Sequence, residues 1–158
     1  MRKVLSICFL IFLFQANVFG QRTTVDSFSI KQTILPEASP QFKYVFEKNT
    51  LTVYKTKYAG NKKGLIDKKL YRMKLSDKQL NSLDSILINL SIESLDTLYS
   101  KPMLDGVFWT FEFQLKKEKK KVVLDNYYHA KLDALLIYLN KQLPEKWRLI
   151  SLGVFETD

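Results

Sequence analysis

The sequence predicts an α+β domain, an antiparallel sheet with two amphipathic helices packed on one face. Three observations carry this. Apolar residues alternate along 42–46 and 107–115, as they do in half-buried strands. Leucines recur at helical spacing along 80–90 and 132–143. The segments follow one another as strands, helix, strands, helix, an order that suits helices laid on an antiparallel sheet.

The chain opens with Arg2 and Lys3, runs through an apolar stretch from Val4 to Phe14, and leaves it through a more polar exit ending at Gly20. That order is a secretory signal peptide over residues 1–20. The apolar stretch is eleven residues long, whereas a bilayer-spanning helix needs about 20. Cleavage is therefore expected, with Val18 and Gly20 at the small-residue positions before the cut and Gln21 as the new N-terminus. No transmembrane segment is expected after it. The single cysteine, Cys8, lies inside the apolar stretch. Cleavage would remove it, and with it thiol catalysis, Cys-ligated zinc and disulfides. The predicted location is exported, periplasmic or secreted, from a bacterial cell.

Residues 21–40 are polar and end in Pro36 and Pro40, with a weak alternation at Phe28 and Ile30. They read as an N-terminal tether or a short edge strand. A single α+β domain is expected over 41–158. Phe42, Tyr44 and Phe46 share one face of a first strand, Asn49 marks a turn, and Leu51 to Tyr58 resumes as its hairpin partner. The loop Ala59 to Gly64 holds two glycines and leads to a third run, Lys69 to Leu75, with Tyr71, Met73 and Leu75 on one face. Ser76 and Gln79 have the spacing of a capping box, and Leu80, Leu83, Leu87 and Leu90 form the stripe of the helix behind it. After a loop that includes Asp105-Gly106, Val107 to Leu115 alternates with Trp109, Phe111 and Phe113 on one face. Lys116 to Lys121, five lysines around Glu118, is read as a hairpin tip leading into Val122, Val123 and Leu124. A second helix is expected over about Ala130 to Leu143, stopped by Pro144. The run from Trp147 to Val154 is read as a final strand.

The stretch from Leu75 to Leu143 resembles a pattern found in small exported bacterial α+β domains of unknown function. It has a Ser-capped Leu-rich helix, then Asp105-Gly106 with Trp109 on the next strand, a charged hairpin, and Asn126 and Tyr128 ahead of an amphipathic Leu-rich helix. Where that pattern often has proline after the tyrosine, this chain has His129-Ala130. The resemblance implies fold and compartment, and supplies no catalytic residues.

Charge is unevenly spread. Residues 41–74 carry ten Lys/Arg against Glu47 and Asp67, whereas 75–115 carry Lys78 and Lys101 against six acids. Basic clusters attract polyanions. Export removes nucleic acid as the expected partner, leaving anionic envelope components such as lipid head groups and acidic glycans, or another protein. The surface read as a binding candidate is Lys55, Lys57, Lys68 and Lys69 with Tyr54 and Tyr58; the plainer reading of these lysines is the solvated face of a sheet.

Chemistry is sparse. His129 is the only histidine, with Asp125 and Asp133 four residues to either side, but no activated nucleophile accompanies it. No cysteine remains for a metal and no calcium-loop spacing occurs, so no metal or cofactor is expected. Asp105, Glu112 and Asp125 would lie at neighbouring positions if their strands pair, as paired glycosidase carboxylates do. Trp109, Phe111 and Phe113 are read as core before they are read as a binding platform. Asn89-Leu90-Ser91 is a glycosylation sequon, relevant only to a eukaryotic source. The expected function is an exported binding module without a catalytic site. The alternatives are a small hydrolase of envelope glycans or peptides using carboxylates, and an inhibitor or immunity-type partner of one protein.

Overall fold

The computed structural model describes residues 25–34, 41–58, 65–102, 106–149 and 152. The export segment lies outside them, as do Asp105 and the loop at 59–64. Seven strands and two helices follow in the order β1 (Val25–Ile34), β2 (Gln41–Glu47), β3 (Thr50–Tyr58), β4 (Leu65–Lys74), α1 (Asp77–Leu90), β5 (Leu98–Ser100), β6 (Val107–Leu115), β7 (Lys119–Asp125) and α2 (Ala130–Gln142). The strands form one sheet in the order β4-β3-β2-β1-β6-β7-β5. Every pairing is antiparallel except β5 with β7. The fold is thus α+β, as the alternation and the leucine stripes predict.

Turn chemistry sets the β2–β3 hairpin. Lys48 and Asn49 take φ values of 49° and 62°, the left-handed pair that a two-residue turn needs to match strand twist. After β4 the chain leaves one edge of the sheet, passes through α1 and re-enters at the opposite edge as β5. Its helix begins as expected. The Gln79 N–H donates to Ser76 Oγ (3.4 Å) and the Ser76 N–H to Gln79 Oε1 (2.8 Å), closing a capping box.

Most of the large apolar side chains of the strands point to one side. Phe28 and Ile30 of β1, Tyr44 and Phe46 of β2, Leu51 and Val53 of β3 and Trp109, Phe111 and Phe113 of β6 belong to one buried cluster. Leu83, Leu87 and Leu90 of α1 and Leu132, Leu135, Leu136 and Leu139 of α2 complete it. Both helices therefore pack on this face. The aromatic stack Trp109, Phe111, Phe113, with centroids 6.3 and 6.4 Å apart, is core rather than platform.

Two expectations are corrected. Residues 25–34 are neither tether nor edge strand. They form an interior strand, with Phe28 between Phe46 and Phe113 and Ile30 between Tyr44 and Phe111. The described part of the run 147–154 forms no strand. A single 3-10 turn covers Glu145–Trp147, and side chains then do what a neighbouring strand would have done: Asn140 Oδ1 accepts from Leu149 N–H (2.6 Å), Asn140 Nδ2 donates to Leu149 O (2.9 Å), and Asp133 Oδ1 accepts from Leu152 N–H (2.9 Å).

Candidate functional site

Because the helices occupy one face, the other face of the sheet is left largely to polar side chains, and strand register fixes which of them meet. Lys69, Tyr54, Lys43, Lys31 and Thr110 form one row across β4, β3, β2, β1 and β6. The next row holds Arg72, Thr52, Val45, Ser29, Glu112 and Lys121, and the one after it Lys74, Thr50, Glu47, Ser27, Gln114 and Lys119. Seven cations (Lys31, Lys43, Lys69, Arg72, Lys74, Lys119, Lys121) thus share this face with four carboxylates, Glu47, Asp67, Glu112 and Asp125.

Few of the cations are neutralised within the protein. Among the described residues Lys43 alone of the seven has a carboxylate in ion-pair range, Asp67 at 3.2 Å. Lys31 lies directly opposite Lys43, and like charges facing across a strand pair repel. Lys121 lies opposite Glu112 without closing an ion pair. Asp67 answers part of the repulsion. Burial raises its carboxyl, but hydrogen bonds from Thr56 (2.8 Å) and Lys43, with the charges of Lys43 and Lys31, outweigh that and hold it below its ordinary value.

The face is also hollowed. A depression of about 420 Å³ lies over β2, β1, β6 and β7, lined by Ser27, Ser29, Glu47, Glu112, Gln114 and Lys121 among others. A second, of about 290 Å³, is lined by Ser29, Lys31, Lys43, Thr56, Asp67, Thr110 and Glu112. Ser29 and Glu112 line both, and Ser29 Oγ donates to Glu112 Oε2 at 3.5 Å.

The lysines and tyrosines singled out from the sequence are divided by this arrangement. Tyr54 and Lys69 lie opposite each other on the polar face, while Lys55 and Lys68 lie opposite each other on the helix side. Lys57 pairs in register with Ile66 and Tyr58 with Leu65; the side chains of Lys57 and Tyr58 lie outside the described residues. The residues that the sequence reading passed over are Lys31, Lys43 and the hydroxyls of Ser29, Thr56 and Thr110. The signal that could have found β1's share was the polar half of its alternation, Ser27, Ser29, Lys31 and Thr33.

The sparse chemical candidates have structural duties. His129 is the N-cap of α2, its Nδ1 accepting from Leu132 N–H (3.3 Å), and its ring stands edge-on to Tyr99 at 5.0 Å. That lone pair is committed to the helix. Asp125 accepts from Ser100 Oγ (3.0 Å) and Asn126 Nδ2 (3.1 Å), and lies opposite Phe108, two rows from Glu112. No group of three or more His, Cys, Asp or Glu able to hold a metal ion occurs among the described residues. No described helix is long and apolar enough to cross a membrane. No family model matches the chain, and no curated protein matches it.

Proposed function

We propose that the protein is an exported binding module that holds an anionic component of the cell envelope against the polar face of its sheet, without catalysis. The observation that carries this reading is the charge balance of that face, seven cations to four carboxylates, with only Lys43 of the seven in an ion pair among the described residues. Unpaired cations on a concave surface focus potential outward and attract polyanions. One carboxylate pair that shares a depression is too widely spaced for glycoside hydrolysis. Glu112 and Asp67 share a depression but stand on strands four spacings apart, roughly 19 Å of sheet, whereas glycoside hydrolysis holds its two carboxyls within about 5–10 Å.

The test is retention on isolated bacterial envelope at rising salt. Reversal of Lys69, Arg72, Lys119 and Lys121 to Glu should abolish retention that salt also weakens. Reversal of Lys68, Lys131 and Lys141, which are exposed elsewhere, should leave most of it. Equal loss from both sets, or retention indifferent to salt, would sink the reading.

A further inference from the structure

On the reading just given, we infer that the ligand is an acidic polysaccharide, laid along one groove that crosses the polar face diagonally. The two depressions meet at Ser29 and Glu112. Together they run from Lys119, Lys120 and Lys121 on β7 to Asp67 on β4. Five strand spacings separate those ends, roughly 24 Å across the sheet. That is the footprint of a chain rather than of a single small ion.

The lining decides between anionic ligands. A surface made to meet lipid head groups or a simple polyphosphate gains from cations alone, and each carboxylate in it costs affinity. This groove has Glu112 at its junction, Glu47 in one arm and Asp67 at the far end of the other, with hydroxyls or an amide beside them from Ser27, Ser29, Thr56, Thr110 and Gln114. Carboxylates have only acceptor oxygens to offer, so they suit a ligand rich in O–H donors. The lysines suit the anionic groups of the same ligand. A sugar chain with an acid on its units presents both. Glu112, exposed at the junction and already accepting from Ser29, is the group placed to read the sugar hydroxyls.

The test measures binding of the purified protein to polygalacturonate oligomers, to polyphosphate of matched charge, and to phosphatidylglycerol vesicles. Galacturonate is expected to bind most tightly. Glu112→Gln removes a charge but keeps the shape, so it should weaken galacturonate about tenfold, the scale of one hydrogen bond to a charged group. The same variant should leave polyphosphate equal or tighter. Ser29→Ala should weaken galacturonate in the same direction. Tightening of both polyanions by Glu112→Gln would reduce Glu112 to a charge and overturn the inference, as would vesicles binding more tightly than the glycan. In either of those cases salt-sensitive anion binding would survive. No salt-dependent binding to any of the three probes would overturn the anion-binding reading together with the inference.

Discussion

The side chain of Asn126 fills the space that a β-carbon on Gly106 would need. It is fixed there from two sides, accepting through Oδ1 from Val107 N–H (3.0 Å) and donating through Nδ2 to Asp125 Oδ1 (3.1 Å). Its own φ of 51° places it in the left-handed region that Asn tolerates. Two residues from either end of the β6–β7 hairpin are thus interlocked, and the strand that carries Glu112 begins at this lock.

Gly106→Ala is therefore expected to destabilise the fold by about 2 kcal/mol or more, because the Asn126 carboxamide cannot swing away without losing both bonds. Glycine at 126 accepts the same backbone angle. In an Asn126→Gly background the Gly106→Ala change should cost less, with a coupling of about 1 kcal/mol or more. Chemical denaturation of the four proteins of this cycle measures it, and additive effects would show that the two residues are independent.

A second prediction concerns the interior of the sheet. Gln32, with 4% of its surface exposed, stands on the core side between Phe42 and Trp109, and both its Nε2 and Trp109 Nε1 are buried donors without a partner among the described residues. A buried donor left unpaired costs free energy that an apolar side chain of similar shape avoids. Gln32→Met should stabilise the protein by about 1 kcal/mol, read as a raised midpoint in denaturant. A lowered midpoint would mean that the amide is satisfied in solution.

Gln32 also shows why β1 was misjudged from sequence. An interior strand whose outer face is polar, with Ser27, Ser29 and Lys31 outward and a glutamine among its inward positions, has the composition of an edge. Its place is set by Phe28 and Ile30 finding partners not only on the next strand, β2, but also on β6, which lies far away in sequence. Features closed by local bonds were legible. Ser76 and Gln79 cap α1 within one turn, and Asn49 turns β2 into β3 within two residues. β5 was not legible, since its three residues are strand only through pairing with β7. The candidate site was hidden for the same reason: Lys43, Lys31 and Thr110 become neighbours only once the order β2-β1-β6 is known.

The pH dependence of stability should carry the signature of His129. Its neutral ring accepts from Leu132 N–H at the start of α2. Protonation would turn that acceptor into a donor and place a positive charge against the positive end of the helix dipole. Burial, helped by the charge of Lys131 and opposed by its own backbone hydrogen bond, lowers its pKa from the ordinary value near 6.5. The unfolded chain therefore takes up the proton first as pH falls. The contribution is fully present above pH 6.5 and is lost as pH drops from there through the lower folded pKa. The ring is only partly buried, so solvent screening keeps the effect to no more than about 1 kcal/mol, the scale of an N-cap. His129→Asn keeps a side-chain acceptor at every pH. Between pH 7.5 and 5 the wild type should lose stability faster than this variant by about that amount. Carboxylates titrate alike in both proteins and cancel in the difference. Parallel curves would show that the imidazole does not cap the helix in solution.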